Sequence, residues 1–340
     1  MSLPEIKYCP GTLAEGFNTY SPTCLKRVFN GRKVSHILPY NPPDVSEEDA
    51  EKFLQNRKRL SISGVQEKVS LLMEKNILRL TEEGERGTYI LKPVPRDLRK
   101  VDQVPANEHL TMQIARQVFD ILTAENALIF FKNGEPAYIT KRFDVVEDGT
   151  KIGKEDFATL AGKTAETAGS NFKYEYSYEE MAELVQTFIP AAMVELEKLF
   201  SLIVFNYLIC NGDAHLKNYG VIETGQGDYM LSPAYDLINT GLHVDDAAMA
   251  LSDGLFKNGY STKSFEANGF YAYDDFYEFG LKIGLVKSRT IKILKKFRSN
   301  REQVQSLTER SFLNDEMKRA YMDTYLNKLK ALNYSMEGRI

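Results

Sequence analysis

The chain has 340 residues, 43% of them hydrophobic and 26% charged, with a formal net charge of −4. That length admits one large or two medium domains, and the near balance of charge gives no global electrostatic case for direct nucleic-acid binding. No apolar run approaches the roughly 18–20 residues of a membrane span, the opening residues carry no apolar signal core, and Cys9, Cys24 and Cys210 do not make a disulfide framework. A cytoplasmic location without membrane association is the expectation, with specialised export left open.

Residues 1–60 are the least regular part and are expected to pack on the domain that comes next. Within them, the run from Ser46 to Leu54 has the pattern of a capped helix, with Ser46 at the N-cap, acids in the first turn, and Phe53 and Leu54 inward. Residues 61–142 read as an antiparallel sheet with one helix. Short apolar runs at 69–73, 77–80, 89–92, 128–131 and 137–142 predict strands, and Asn133-Gly134 predicts a turn. Leu110, Ile114, Ala115 and Val118 recur at helical spacing and predict a helix over 107–119. Residues 143–340 turn helical. Helices are predicted over 178–189 and 191–210, the second with a stripe of Leu196, Leu199, Ile203 and Tyr207. A hairpin is predicted at 219–231 across Thr224-Gly-Gln-Gly-Asp228, and helices dominate from about 272 onward. The pattern is that of a two-lobed α+β protein, sheet-rich in front and helical behind.

The chemistry concentrates at residues 211–218, Asn211-Gly-Asp213-Ala-His215-Leu-Lys217-Asn218, and at 232–240, which contains Ser232-Pro-Ala-Tyr235-Asp236. An Asp, an Asn five residues later and a second Asp beyond a hairpin form the order that phosphoryl transfer needs. Asp213 would orient the attacking hydroxyl, and Asn218 and Asp236 would hold Mg²⁺. Lys217 would steady the transferring group. Taken alone, Asn-Gly-Asp is an ordinary polar turn; the full run with a hairpin behind it is not. His215 beside two acids could suggest a borderline-metal site, but the Asn and Lys suit Mg²⁺ and phosphate better. His215 then becomes a hydrogen-bonding residue of the loop or a nucleotide contact. Lys92, at the end of Tyr89-Ile-Leu-Lys92, can reach nucleotide phosphates if a helix carboxylate such as Glu108 orients it. Ser61-Ile-Ser63-Gly64-Val65-Gln-Glu-Lys68 stands where a phosphate-covering loop belongs, and its hydroxyls and backbone N–H groups could cradle phosphate, with Lys68 adding charge. Its single Gly makes it neither a Walker A loop nor GxGxxG.

Together these segments, with Asn107-Glu108 and Tyr138-Ile-Thr-Lys141-Arg-Phe143-Asp144, resemble the HipA-like serine/threonine kinases, above all the short HipT-type toxins. The likeness spans roughly residues 60–240. It implies a two-lobed protein-kinase-like fold, ATP and Mg²⁺ as cofactors, Asp213 as catalytic base, and Asn218 and Asp236 as metal ligands. It places Ser63, Gly64, Val65, Lys68, Lys92 and Glu108 around the ATP phosphates. Lys141, Phe143 and Asp144 fall at the hinge beside adenine, with His215 and Tyr235 near the nucleotide. Ser61 and Ser63 match the family's autophosphorylated loop serines. Family members phosphorylate aminoacyl-tRNA synthetases and are restrained by a small DNA-binding antitoxin of HipB type, in some cases with a separate HipS-like subunit. Relatives with more N-terminal cysteines have a fuller metal motif where this chain has Thr12 and Ser21.

Two other readings compete. A small-molecule kinase of the aminoglycoside or choline type also uses a Gly-Asp-x-His-like loop and a later Asp, but lacks the Ser-Ile-Ser-Gly-Val-Gln-Glu-Lys segment. A catalytically inactive nucleotide-binding regulator has no need of the intact set Lys92, Asp213, Asn218 and Asp236.

Overall fold

The computed structural model describes residues 5–42, 67–95, 100–146 and 148–339. The helix expected at 46–54 and the residues Ser61, Ser63, Gly64 and Val65 lie outside them. The chain folds as two units that interleave in sequence. The first is Met1–Gln113, Ala124–Lys151 and Ser306–Lys318; the second is Ile114–Thr123, Ile152–Gln305 and Arg319–Ile340.

The first unit is built on a five-stranded antiparallel sheet in the order β2-β1-β3-β5-β4, with β1 Val69–Glu74, β2 Ile77–Leu80, β3 Tyr89–Lys92, β4 Asn126–Phe130 and β5 Pro136–Lys141. Successive side chains of a strand point to opposite faces, and this alternation builds the core. Val69, Leu71, Tyr89, Leu91, Ala127, Ile129, Ala137 and Ile139 all enter one cluster. Lys92, next to Leu91, therefore turns to the other face, and its strand partner there is Tyr138.

The first cluster is closed by a helix in the stretch expected to be irregular, α1 Pro22–Phe29. Its ends explain it. Ser21 caps the N-terminus, Pro22 fits the first turn, and Asn30 ends it in the left-handed conformation at φ 54°. Cys24, Val28 and Phe29 are the buried positions of α1, and the Tyr89 hydroxyl donates to the Val28 carbonyl at 2.8 Å. Cys9 Sγ accepts the Ser21 N–H at 3.1 Å and the Gly11 N–H at 3.4 Å. The Cys9 thiol lies 3.3 Å from Ser21 Oγ, which lies 3.3 Å from Thr12 Oγ1. The two hydroxyls thus satisfy this buried corner. A Cβ on Gly11 would fall 2.0 Å from Cys24 Sγ, so the chain needs glycine there.

The helix α2, Val104–Gln117, carries Glu108 and His109. In the second unit, α3 Phe157–Leu160 and α4 Ala165–Ala168 are short, and α5 Tyr178–Phe188 starts in a capping box of Ser177 and Glu180. The helix α6, Ala192–Leu208, buries Leu196, Leu199, Phe200, Ile203, Val204, Tyr207 and Leu208. Packing on α6 brings α8 Tyr273–Lys282 and α9 Lys287–Arg298 together: Phe200 stacks on Phe279 at 5.9 Å, and a Cβ on Gly280 would meet Thr290 at 2.6 Å. A second sheet orders β6 Lys154–Asp156, β7 Gly220–Glu223 and β8 Tyr229–Leu231, antiparallel throughout. The remaining described helices are α7 Lys263–Asn268, α10 Arg301–Arg310 and α11 Asp315–Leu332. Among the described residues no helix is long and apolar enough to cross a membrane.

His109 is fully buried in α2, and burial pushes its imidazole down to about 4. A folded pKa below the unfolded value of about 6.5 means the unfolded chain binds the extra proton first. Stability from this group is complete above about pH 6.5 and is lost as pH falls toward 4, a difference of about 3 kcal/mol. Urea unfolding at pH 7 and pH 4.5 should show this loss, and His109→Leu should flatten it.

Candidate active site

The helix α6 delivers the chain into residues 211–218. It stops because Ile209 leaves the helical pattern and Cys210 turns left-handed at φ 57°. The loop beyond Cys210 is held by one buried amide. Asn211 Nδ2 donates to Asn206 Oδ1 at 2.9 Å and to the Asp236 carbonyl at 3.4 Å, while Asn211 Oδ1 accepts the Asp213 N–H at 3.3 Å. Thr240 adds a second tie. Its Oγ1 accepts the Gly212 N–H at 2.9 Å and donates to the Cys210 carbonyl at 3.0 Å. Gly212 has no room for a side chain, since a Cβ would lie 2.4 Å from Asp246 Cβ and 2.7 Å from the Ala247 carbonyl oxygen.

Asp213, Asn218 and Asp236 are thereby linked within the second unit. Asn218 Nδ2 donates to the Asp213 carbonyl at 3.3 Å, which leaves Oδ1 as the acceptor of the amide. Asp236 takes a left-handed backbone at φ 55°, uncommon for a residue with a Cβ. The Asp213 carboxylate is half-exposed. His215 is buried and neutral: burial pushes its imidazole down to about 4, against the opposing pull of Asp213, and Asp236 pulls in the same sense as Asp213. His215 therefore feels both carboxylates. Its Nε2 lies 3.8 Å from Asp213 Oδ1, too far for a hydrogen bond. Lys217 points toward Asp156 at 4.0 Å and lies over the Phe172 ring at 5.9 Å. The Tyr235 hydroxyl donates to the Lys217 carbonyl at 2.8 Å, and the Lys154 ammonium sits 4.3 Å from the centre of its ring.

Among the described residues no three of His, Cys, Asp and Glu converge as a metal cage. A cation taken by Asp236 and Asn218 would complete its shell from water and phosphate oxygens. That fits Mg²⁺, which keeps several waters and uses one or two protein oxygens beside phosphates.

In the first unit, Lys92 Nζ donates to Glu108 Oε1 at 2.6 Å, with both side chains almost wholly buried, and lies 5.3 Å from the Tyr138 ring centre. This is the pairing the strand-end Lys and the helix Glu predict. Asp144 receives both arms of the Arg142 guanidinium, at 3.0 and 2.8 Å. Lys141 ends β5 and bonds the Asn30 side chain. Lys68 precedes β1 and is half-buried.

Sequence reasoning passes over Tyr174, whose hydroxyl donates to Asp213 Oδ1 at 2.6 Å. It also passes over Asn206, Thr240 and Asp156. Asn206 had a signal, as an amide in an otherwise apolar helix end; the others had none, because their partners are remote in sequence.

Removing one member of the buried Lys92–Glu108 pair leaves a charge without its counterpart, which costs about 3–5 kcal/mol. Lys92→Met should lose that much in urea unfolding, and Lys92→Met with Glu108→Leu should regain most of it.

Comparisons with known proteins give the chain's family and fold. The family model for the HipA-like C-terminal domain matches residues 60–305. A provisionally named kinase of Haemophilus influenzae is 28% identical over 301 residues, covering 84% of this chain and 85% of that protein. Two provisionally named kinases of Sinorhizobium fredii are 28% and 31% identical over 69% and 62% of this chain, which spans only about half of their length (54% and 53%). Among solved structures, HipA of a Shewanella oneidensis toxin–antitoxin system, determined with HipB and operator DNA, superposes with a TM-score of 0.61 at 20% identity. The match covers 84% of this chain and 69% of that one. Its fold is thus protein-kinase-like, and by the match over residues 60–305 the chain belongs to the HipA-like C-terminal domain family.

Proposed function

We propose that the protein is an ATP- and Mg²⁺-dependent protein serine/threonine kinase that phosphorylates its own Ser61 or Ser63. The observation that carries this reading is the tie of Asp213 to Asp236 through Asn211 and of Asn218 to the Asp213 carbonyl, on a loop also held by Thr240. Asp213, half-exposed on a loop that is otherwise mostly buried, is the group that accepts the acceptor hydroxyl's proton. Asn218 and Asp236 hold Mg²⁺, which when bound neutralises charge on the phosphates. Lys217 supplies positive charge close to the transferring group. Lys92, fixed by Glu108, serves the nucleotide phosphates, as do Ser63, Gly64, Val65 and Lys68. Lys141, Phe143, Asp144, His215 and Tyr235 contribute to nucleotide binding.

Membership of the HipA-like family supports a toxin role, with a HipB-type DNA-binding antitoxin as partner, a HipS-like subunit as a further candidate, and a translation component such as an aminoacyl-tRNA synthetase as protein substrate. A cytoplasmic location goes with that role.

With Mg-ATP, the purified chain should gain phosphate on Ser61 or Ser63 by mass spectrometry, and Asp213→Ala should abolish it. Persistent phosphorylation in Asp213→Ala would remove Asp213 from the role of base. A phosphorylated metabolite with no phosphoprotein would favour a small-molecule kinase. Each phosphoserine adds about −1.5 to −2 charges beside the nucleotide phosphates. The phosphorylated protein should therefore bind ATP more weakly by calorimetry, and equal affinity of the two forms counts against that control.

A further inference from the structure

Among the described residues, one hydrogen bond reaches the Asp213 carboxylate, and it comes from outside the 211–218 loop. Tyr174 O–H donates to Oδ1 at 2.6 Å. Burial first, and Asp213 second, push the phenol up, so it keeps its proton and remains a donor. The ring is itself fixed. It stands edge-on to His215 at 5.2 Å and 76°, and the Lys173 ammonium lies 4.9 Å from its centre. The backbone on both sides is pinned, with Leu216 N–H donating to the Lys173 carbonyl at 3.0 Å and Ser252 N–H to the Tyr174 carbonyl at 2.8 Å. The first of these ties the tyrosine segment to the same loop that carries Asp213.

We propose that Tyr174 is a positioning residue for phosphoryl transfer, holding Oδ1 of Asp213 so that Oδ2 is presented to the acceptor hydroxyl. The inference rests on Asp213 being the base. A catalytic base works best when a third group fixes its direction, and a half-exposed aspartate has little packing to do so. Its nearest loop neighbour, His215, stands 3.8 Å from the same oxygen and is neutral. Among the described residues the phenol therefore sets the rotation of the carboxylate. The acceptor's proton passes to Oδ2, the new P–O bond forms at the acceptor oxygen, and the bond to ADP breaks; Tyr174 keeps its proton throughout.

Tyr174→Phe keeps the ring and deletes the donor. A hydrogen bond to a charged group is worth about 10- to 100-fold in rate. The variant should lose that factor in kcat for acceptor phosphorylation, with KM for ATP, KM for the acceptor and the melting temperature unchanged. An unchanged kcat overturns the proposal, as does a rise in the acceptor KM with kcat retained. The second arm is a cycle with Asp213→Asn. If Tyr174 acts through Asp213, adding Tyr174→Phe to Asp213→Asn changes nothing further, whereas a full additional loss overturns the proposal. Full activity in Asp213→Asn alone would instead refute Asp213 as base, so the two failures are told apart.

Discussion

The site depends on one side-chain amide. Asn211 is buried, and the three hydrogen bonds of its side chain run to Asn206 near the end of α6, to the backbone of Asp213 and to the backbone of Asp236. Asn206 and Asp213 are near Asn211 in sequence but Asp236 is 25 residues away, and no single backbone hydrogen bond could join all three. A buried amide with its bonds made is rigid, because any movement would leave a donor or acceptor unmet at a cost of about 1–3 kcal/mol. The spacing of the two carboxylate-bearing segments is therefore fixed before any ligand arrives.

That rigidity offsets local strain. Cys210 and Asp236 both take left-handed backbone conformations, which cost residues with a Cβ about 1–2 kcal/mol. Cys210 precedes the 211–218 loop and Asp236 lies within 232–240, and their carbonyls accept from Thr240 and Asn211 respectively. The base beneath is firm. Asn206, two residues before the end of α6, also donates to the Tyr219 hydroxyl at 2.9 Å, so the helix and the loop exit just before β7 share one polar network. Functional side chains thus sit on a loop, but the loop inherits the order of the helix behind it.

Much of this could be read in the sequence. The strands of the first sheet, the helices α5 and α6 and the hairpin β7–β8 obey local periodicity, and local periodicity is what a sequence displays. Lys92 and Glu108 were legible only beside the rest of the phosphotransferase motifs, as a strand-end lysine and a carboxylate on the following helix, and the two do pair. The helix α1 was harder, because its evidence is in caps (Ser21, Pro22, Asn30) and not in a long apolar stripe. Tyr174 and Thr240 were not legible. Their roles arise from contacts 39 and 28 residues away, to Asp213 and Gly212. The interleaving of the two units is of the same kind, since segments near 114–123 and 306–318 join units that their neighbours in sequence leave.

The bond from Asn218 to the Asp213 carbonyl has a consequence for residue identity. An aspartate at 218 would offer a divalent ion more charge than an amide does. It would also turn an oxygen toward the Asp213 carbonyl oxygen, replacing a hydrogen bond of 3.3 Å with a repulsion between two acceptors. The loop closes on itself only when position 218 carries a donor and an acceptor on the same short stem. Glutamine supplies both on a stem one carbon longer, and histidine would spread them across a ring. Asparagine is thus selected by the turn, and, if position 218 holds the proposed Mg²⁺, by the cation as well, so that a change satisfying one requirement alone would still fail the other.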